Sequence, residues 1–215
     1  MTTKNINSKL SLVSIPKSMV ISKAITTFYK ADSKDSYFVG RKPPIETVEI
    51  VAYDSSWPKT YANVASSIKK ELGSIVQTIE HIGSTAIHGL AAKPWIDIDL
   101  TIDDPTNEEK YVPILEKMGY QLIVREPRFY EHRLFHLNNP RVNLHVFYPD
   151  CPETIRHLLF RDWLRQSPSD CQLYSNAKLE AVKDCSLDLE KYHANKQRVV
   201  REIYAKIFNH LALID

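Results

Sequence analysis

Hydrophobic and polar residues alternate along the middle of the chain, and the apolar residues change to helical spacing towards the C-terminus. Six segments have the two-residue alternation or the short apolar run that is typical of β-strands. They cover residues 46–53, 75–83, 95–102, 120–126, 133–137 and 142–148. The sequence NNPR between the last two is turn material, so these two strands are predicted to form a hairpin.

Apolar residues at intervals of three and four predict helices between and after these strands. One helix is expected to end at Gly73, and a second is expected at about residues 108–118. From Pro152 onward the spacing predicts three helices, separated near Pro168 and near residues 185–188. Strands mixed with helices, followed by a helical C-terminal third, predict an α+β (α/β mixed) fold with one mixed sheet flanked by helices.

The first 44 residues are expected to form a partly ordered extension ahead of a main domain at residues 45–210. They contain lysine and serine but no acidic residue before Asp32, which is also compatible with a mitochondrial transit peptide. Transit peptides favour arginine, however, and the first arginine here is Arg41. One helix face is predicted within the extension, formed by Met19, Val20, Ala24, Ile25 and Phe28.

Size and composition favour one soluble domain and argue against several classes of protein. The 215 residues suffice for one core, and a hydrophobic content of 43% is ordinary for a globular protein. The net charge of +2 provides no overall attraction for nucleic acid or an anionic membrane, and no apolar stretch approaches the roughly 20 residues of a membrane span. We therefore expect neither as a partner. The three cysteines lack metal-ligand spacing and indicate a reducing, cytoplasmic location.

Asp97 and Asp99 lie within one predicted strand and are two residues apart. Successive strand residues point to opposite faces, so both carboxylates are expected on one face, with Cα atoms about 6.5–7 Å apart. Two such carboxylates raise each other's pKa unless a cation stabilises the ionised pair. A divalent metal such as Mg²⁺ takes carboxylate and phosphate oxygens as ligands, so the spacing predicts a metal site. The alternative is an acidic, half-solvated strand face.

A Gly-Ser turn, Gly83–Ser84, precedes this strand. Such a turn offers backbone N–H groups and a hydroxyl that suit a phosphate, and glycine allows a close approach that a Cβ would block. Lys93 leads into the acidic strand and is a candidate phosphate contact. Arg133 belongs to a stretch rich in arginine and aromatic residues that is a candidate wall for a nucleotide. A solvated surface position is the alternative for both.

Residues Glu80–Ile98, EHIGSTAIHGLAAKPWIDI, resemble EHIGSTAVPGLAAKPIIDI, which is typical of GrpB-like proteins. The likeness spans roughly Glu46 to Phe208. It includes VAYDSSWP, NLHVF, FRDWLRQSP and the helices that carry Lys178 and Lys196. The chain is therefore identified as a member of the GrpB-like (UPF0157) branch of the nucleotidyltransferase superfamily related to DNA polymerase beta.

The resemblance implies a nucleotidyltransferase-like fold and a metal-dependent reaction. Members of the wider superfamily transfer a nucleoside monophosphate from an NTP to a hydroxyl and release pyrophosphate. It implies that Asp97 and Asp99 bind the metal, Mg²⁺ or Mn²⁺. It also implies that the terminal phosphates meet the Gly-Ser turn, where Gly83, Ser84 and Thr85 are the expected nucleotide-binding residues. The acceptor, a small molecule or a protein, is not indicated.

The third acid of the superfamily site has no counterpart here. The strand at residues 142–148 is expected to place Asn143, His145 and Phe147 on one face, without a carboxylate. His145 is therefore expected either to join the metal shell or to act as a base. Imidazole is a softer ligand than carboxylate and suits Mn²⁺, Zn²⁺ or Fe better than Mg²⁺. A histidine within an ordinary polar network is the alternative.

Three functions are consistent with these residues. The favoured one is metal-dependent nucleotidyl transfer, with Asp97, Asp99 and His145 as the catalytic residues. The second is a nucleotide- or metabolite-binding protein that has kept the scaffold without turnover, because the third acid is missing. The third and weakest is a metal-dependent phosphohydrolase that uses His81, His145 and the two aspartates.

Overall fold

A five-stranded mixed sheet forms the centre of the protein. The structure is a computed structural model that describes residues 19–29, 37–40, 47–183 and 188–214. The strands are β1 (Thr78–Ile82), β2 (Ile96–Thr101), β3 (Gln121–Glu126), β4 (His132–Asn138) and β5 (Arg141–Phe147), in the spatial order β1-β2-β5-β4-β3. β2 and β5 are parallel and the other neighbours are antiparallel. The predicted mixed sheet and the β4–β5 hairpin are confirmed.

Six α-helices surround the sheet in the described part of the chain. They are α1 (Met19–Thr26), α2 (Trp57–Leu72), α3 (Val112–Lys117), α4 (Pro152–Gln166), α5 (Pro168–Lys183) and α6 (Leu189–His210). The predicted α+β fold with a helical C-terminal third is therefore confirmed. Pro58, Pro113 and Pro152 each stand in the first turn of a helix, where a missing N–H removes no hydrogen bond.

The register of the strands gives the sheet one apolar and one polar face. Ile98, Leu100 and Leu144 are fully buried on the apolar face, in a core shared with residues of α2 and α3. Asp97 lies opposite Asn143, and Asp99 opposite His145, so these four residues share the other face. That face is directed towards α4, whose His157 contacts Asp99. The predicted shared face of the two aspartates is thus present.

Three predicted elements differ from the structure. Residues 47–53 do not form a strand. Among the described residues this segment makes one bridge, from Val51 to Ala92. The pairing does not extend past Ala92, since Pro94 has no N–H to donate to a longer ladder. β1 begins at Thr78, since Gly73–Ile75 form a 3-10 turn after α2. The helix expected at residues 108–118 is divided into a 3-10 turn, Glu108–Lys110, and α3.

The N-terminal helix α1 packs on the C-terminal helices through a buried arginine. Ile25 is fully buried in their apolar core. Arg156 of α4 is also fully buried, and it donates to the carbonyls of Ala24, Ile25 and Thr27 at the C-terminal end of α1. These carbonyls have no partner within the helix, so the guanidinium caps it. The side chains of Met19 and Val20, which belong to the predicted helix face, lie outside the described residues.

Two further sequence expectations concern the cysteines and membranes. Cys151 and Cys171 are free thiols, and Cys185 lies outside the described residues. None of the helices within the described ranges combines the length and the apolar character that crossing a membrane requires.

Candidate functional site

A cavity of about 390 Å³ lies between the polar face of the sheet and the C-terminal helices. The sheet and the turn after β1 contribute Gly83, Ser84, Asp97 and His145 to its wall. The helices α4 and α6 contribute polar and charged side chains, together with the apolar Phe160, Val200 and Tyr204. The polar and charged ones are Glu153, His157, Arg161, Lys196, Gln197 and Arg201. The cavity therefore has a carboxylate-bearing wall on the sheet and cationic side chains on the opposite helices.

Phe28 closes one side of this cavity. Its ring centroid lies 3.3 Å from Cζ of Arg201 and 5.3 Å from the ring centroid of Tyr204. The same ring also lines a second cavity of about 540 Å³, beside Tyr29 and Tyr130. The two cavities thus share Phe28 as a wall.

Asp97 is the carboxylate that faces the cavity. Its Oδ1 accepts a hydrogen bond of 2.7 Å from Nδ2 of Asn143. Its Oδ2 would lie 2.3 Å from a Cβ at position 83, and Gly83 has φ +68°, so only glycine fits both the contact and the backbone. Burial raises the pKa of Asp97, although the Asn143 hydrogen bond and the positive charges of Lys196 and Lys93 oppose this.

Asp99 is 2% exposed and does not itself line the cavity. It contacts His157, which does. Its Oδ2 accepts a hydrogen bond of 2.8 Å from Nδ1 of His157, whose Nε2 lies 3.4 Å from Oε1 of Glu153. Oδ1 of Asp99 is buried and has no hydrogen-bond partner among the described residues. A buried carboxylate oxygen without a partner is costly, so this atom marks a place for a cation or a donor.

His157 carries a positive charge between two carboxylates. Burial opposes that charge, but the attraction of Asp99 and the hydrogen bonds with Asp99 and Glu153 outweigh it and raise the pKa of His157 to about 10. Burial by itself would raise the pKa of Glu153, but the hydrogen bonds and positive charges of His157 and Arg156 outweigh burial and lower the pKa to about 2. His157 and Glu153 thus stabilise each other's charged forms at neutral pH.

We expect the stabilisation by His157 to be complete below pH 6.5, the ordinary value of the group, and to decline as the pH rises towards 10. The sign follows because the unfolded chain loses this proton first, so the folded state binds more protons between these values. The test compares the free energies of unfolding of wild type and His157→Asn in buffer with EDTA. The advantage of wild type over the variant should fall by up to about 1.4 kcal/mol per pH unit between pH 6.5 and pH 10. Parallel curves from urea denaturation would contradict this expectation.

His145 belongs to a hydrogen-bonded chain that runs along the polar face. Oε2 of Glu126 lies 2.6 Å from Nδ1 of His132, and Nε2 of His132 lies 3.0 Å from Nδ1 of His145. Burial lowers the pKa of His145 well below its ordinary value, and repulsion from His132, His157 and His136 adds to the effect. His145 is therefore neutral at pH 7 and able to accept a proton.

The cationic wall is formed by α6, with a buried lysine of α5 behind it. Lys196 lines the cavity, lies 4.9 Å from the ring centroid of Tyr192 and has no carboxylate partner within the described residues. Lys178 is 1% exposed and donates to the carbonyl of Ala91. Burial and the charge of Lys196 lower the pKa of Lys178 to about 7. This wall suits an anion such as a phosphate chain.

The donor atoms fit a cation that brings further ligands of its own. Within the described ranges, no three side chains of His, Cys, Asp or Glu are arranged to hold a metal ion. Oδ1 of Asp99 is unpartnered, and Asp97 faces the cavity beside the cationic wall. One or two carboxylates completed by substrate phosphates and water are a usual set for Mg²⁺. Asp97 and Asp99 therefore fit a metal that arrives with a phosphorylated ligand.

The structure brings some of the predicted site residues together and separates others. Gly83, Ser84, Asp97 and His145 line one cavity, with Asp99 directly behind it. Three residues that were predicted to contact the nucleotide do not line it: Thr85, Lys93 and Arg133.

Their positions have physical reasons. Thr85 is 1% exposed and bonds His81 and the carbonyl of Trp95. Arg133 follows His132 on β4 and therefore points to the opposite face, where it binds Glu108 at 2.7 Å. Lys93 does not line the cavity, and its positive charge acts to lower the pKa of Asp97.

His81 is likewise on the opposite face from the aspartates. It pairs with Ile98 in the β1–β2 register, and directly opposed residues share a face. It stacks on Tyr61 at 4.6 Å, and burial, with the charges of Arg165 and Arg161, lowers its pKa to about 4. The structure thus does not bring His81 together with Asp97, Asp99 and His145.

Sequence reasoning missed four residues of the site. Glu126 and His132 form the chain to His145, and Glu153 and His157 form the charged cluster at Asp99. The spacing of Glu153 and His157, one turn apart at the start of a predicted helix, was the available signal. Nothing local indicated Glu126 and His132, because their roles depend on strand pairing.

Comparison with known proteins relates this chain to one family. The sequence profile described as GrpB protein matches residues 47–206. A UPF0157 protein of Halalkalibacterium halodurans is 41% identical over 162 residues, which are 75% of this chain and 83% of that protein. A dephospho-CoA kinase of Mycolicibacterium paratuberculosis is 26% identical over 75% of this chain and 46% of that enzyme.

A solved structure agrees with this assignment. The crystal structure of conserved protein GrpB from Enterococcus faecalis superposes with a TM-score of 0.65 at 25% identity, and the match covers 74% of this chain and 99% of that chain. The residues that the GrpB profile matches, 47–206, include the Gly-Ser turn, the aspartate strand and the cavity-lining residues of α4 and α6. The chain belongs to the GrpB family.

Proposed function

We propose that this protein is a metal-dependent nucleotidyltransferase that moves a nucleoside monophosphate from an NTP to an unknown acceptor. The observation that carries the proposal is the arrangement of one cavity. The carboxylate of Asp97 and the Gly83–Ser84 turn lie on one wall. The cation of Lys196, which has no carboxylate partner within the described residues, lies on another. A nucleotide with its metal needs both charges, because phosphate oxygens bind cations and the metal binds carboxylates.

In this proposal the residues of the chain position the reactants and manage charge. Lys196 and the hydroxyl of Ser84 bind the phosphate chain. Asp97 and Asp99 would hold a divalent metal, Mg²⁺ or Mn²⁺, which when bound neutralises the charge that develops on the phosphates. His157, charged between Asp99 and Glu153, holds the Asp99 carboxylate in place through its hydrogen bond.

The reaction itself is an in-line displacement at the α-phosphorus. The acceptor oxygen forms a bond to that phosphorus, the bond to the pyrophosphate oxygen breaks, and pyrophosphate leaves. The proton of the acceptor hydroxyl moves to the cavity-facing nitrogen of His145, which is neutral at pH 7. Positioning and charge neutralisation supply most of the catalysis in such reactions.

The direct test is release of pyrophosphate by purified full-length protein. Each of the four common NTPs is supplied with Mg²⁺ or Mn²⁺ and a broad panel of hydroxyl-bearing acceptors. The panel includes dephospho-CoA, since a relative named dephospho-CoA kinase shares this part of its chain. Pyrophosphate and an acceptor that has gained the mass of a nucleoside monophosphate are expected. Release of free phosphate instead would favour a phosphohydrolase, and no pyrophosphate from any combination would overturn the transferase.

A charge-removal variant tests the phosphate wall by itself. We expect Lys196→Gln to weaken NTP binding about tenfold or more, because a hydrogen bond to a charged group contributes about 1.5–3 kcal/mol. Lys191→Gln removes an exposed lysine of the same helix and should leave the affinity unchanged. Isothermal titration calorimetry measures both. Equal affinities of the two variants would remove Lys196 from the site.

One observation favours a second candidate, a nucleotide- or metabolite-binding protein without turnover. Asp99 already has the His157 cation as its partner, and the described part of the chain provides no three-residue metal site. Calorimetry separates the two candidates. NTP binding that is unchanged by Asp97→Asn and by added Mg²⁺ supports the binding protein, whereas binding that needs both supports the transferase.

A further inference from the structure

We infer that Glu126 and His132 are positioning residues, which hold His145 in the tautomer that carries its proton on Nδ1 and directs an unprotonated Nε2 into the cavity. The use of that lone pair as a base rests on the proposed function. The tautomer itself rests only on the hydrogen-bonded chain of these three side chains.

The direction of the hydrogen bonds follows from the first member of the chain. An ionised carboxylate only accepts, so Nδ1 of His132 must donate to Oε2 of Glu126, at 2.6 Å. When the His132 ring carries a single N–H, that N–H is the one on Nδ1 that is donated to Glu126, so Nε2 of His132 is an acceptor. The hydrogen bond of 3.0 Å to His145 therefore takes its proton from Nδ1 of His145. This order leaves a lone pair on Nε2 of His145.

Strand pairing and ring stacking hold the side chains of this hydrogen-bonded chain in place. Glu126 and His132 are paired in the β3–β4 register, so strand pairing sets their approach. His132 is 5% exposed, and its ring stacks on Phe147 at 4.7 Å and on His145 at 5.2 Å, both with an interplanar angle of 19°. A ring held by two stacking partners and two hydrogen bonds has little freedom to turn.

Nε2 of His145 is the atom left for the cavity. His145 lines the cavity, and within the described part of the chain the only hydrogen bond of its ring is the one from Nδ1. The parallel register places His145 beside Asp99, on the face that also carries Asp97. A fixed lone pair at this place is suited to receive a proton from an acceptor hydroxyl, whereas the other tautomer would present an N–H and could not.

The test reads the tautomer directly. Full-length protein with ¹⁵N-labelled histidine is studied by long-range ¹H–¹⁵N NMR near pH 7, with His145 assigned by loss of its signals in His145→Asn. We expect a protonated Nδ1 and an unprotonated Nε2. In His132→Phe the stacking remains but the acceptor is lost, and the two nitrogens of His145 should move towards averaged shifts. His136→Phe makes the same change at a neighbouring strand position and should leave the tautomer as in wild type.

Two results would overturn the inference: a protonated Nε2 in the wild type, or a tautomer that His132→Phe leaves unchanged. If His132→Phe does not fold, Glu126→Gln takes its place. The amide of the introduced glutamine can donate as well as accept, so the hydrogen bonds between the three side chains can run in either direction. Two tautomers of His145 are then expected. A single tautomer, unchanged from wild type, would contradict the inference.

The kinetic consequence separates this inference from the proposed function. If NTPs are turned over, His132→Phe should lower kcat about 10–100-fold with little change in KM, as is usual when the support of a reactive histidine is removed. If no NTP is turned over but the NMR result is as expected, the proposed function fails and the inference stands.

Discussion

Replacing Asp97 by asparagine should lower pyrophosphate release by at least about 10³-fold while leaving the free energy of unfolding unchanged or higher. The loss of activity is expected because an amide cannot supply the negative charge that holds a metal and its phosphates. Asparagine has nearly the same shape, and its amide oxygen can still accept the hydrogen bond from Asn143. The variant therefore removes charge rather than packing.

The stability half of this prediction follows from the pKa. Burial raises the pKa of Asp97 above its ordinary value of 3.8. A carboxyl whose pKa is higher in the folded than in the unfolded state destabilises the folded state when it is ionised, so at pH 7 the neutral amide should relieve that cost.

Urea denaturation at pH 7 measures the stability, and the pyrophosphate assay measures the activity. Asp103→Asn, an exposed aspartate just after β2, is the matched control and should alter neither. A large loss of stability in Asp97→Asn would mean that the carboxylate has a structural role. Unchanged release of pyrophosphate would remove Asp97 from the catalytic residues.

Arg156→Met should destabilise the protein by about 3–5 kcal/mol, the range for removal of one partner of a buried ion pair. The guanidinium is fully buried, pairs with Glu153 and donates to three carbonyls at the end of α1. Methionine fills a similar volume but leaves those carbonyls without a donor and Glu153 without one of its cations. Arg156→Lys should recover only part of the loss, because an ammonium cannot reproduce the planar fork.

Two measurements check this prediction. Urea denaturation gives the loss of stability, and limited proteolysis should cut the N-terminal segment faster in Arg156→Met than in wild type. Lys183→Met removes one partner of an exposed ion pair with Glu180 and should change the stability by less than about 1 kcal/mol. Equal stabilities of the Arg156 and Lys183 variants would contradict the described role of Arg156.

The features of the fold that depend on local pattern could be predicted from the sequence. The alternation in β2 placed both aspartates on one face, and Gly83 was expected where a Cβ would obstruct a close approach; the structure has it against Asp97. The strand expected at residues 46–53 was wrong because alternation alone does not supply a neighbouring strand. A ladder needs a neighbouring strand, and within the described residues this segment makes only the bridge from Val51 to Ala92.

The composition of the site could be predicted less well, because it depends on register and on distant packing. A shift of one residue moves every side chain of a strand to the other face, so no local signal could place Arg133 with Glu108 or His81 with Tyr61. His157 reaches Asp99 across 58 positions of the chain. This contact depends on how α4 packs on the sheet, and the local sequence pattern of a single strand or helix does not predict that packing.

The ring of Phe28 borders two hollows of about 390 and 540 Å³, and it lies outside the residues that the family profile matches. The space open to a ligand is consequently decided in part by a residue ahead of the shared domain. A smaller side chain at this one position would enlarge the space at the border of both hollows. The room for a ligand can thus be altered at this one position without any change to the aspartate strand.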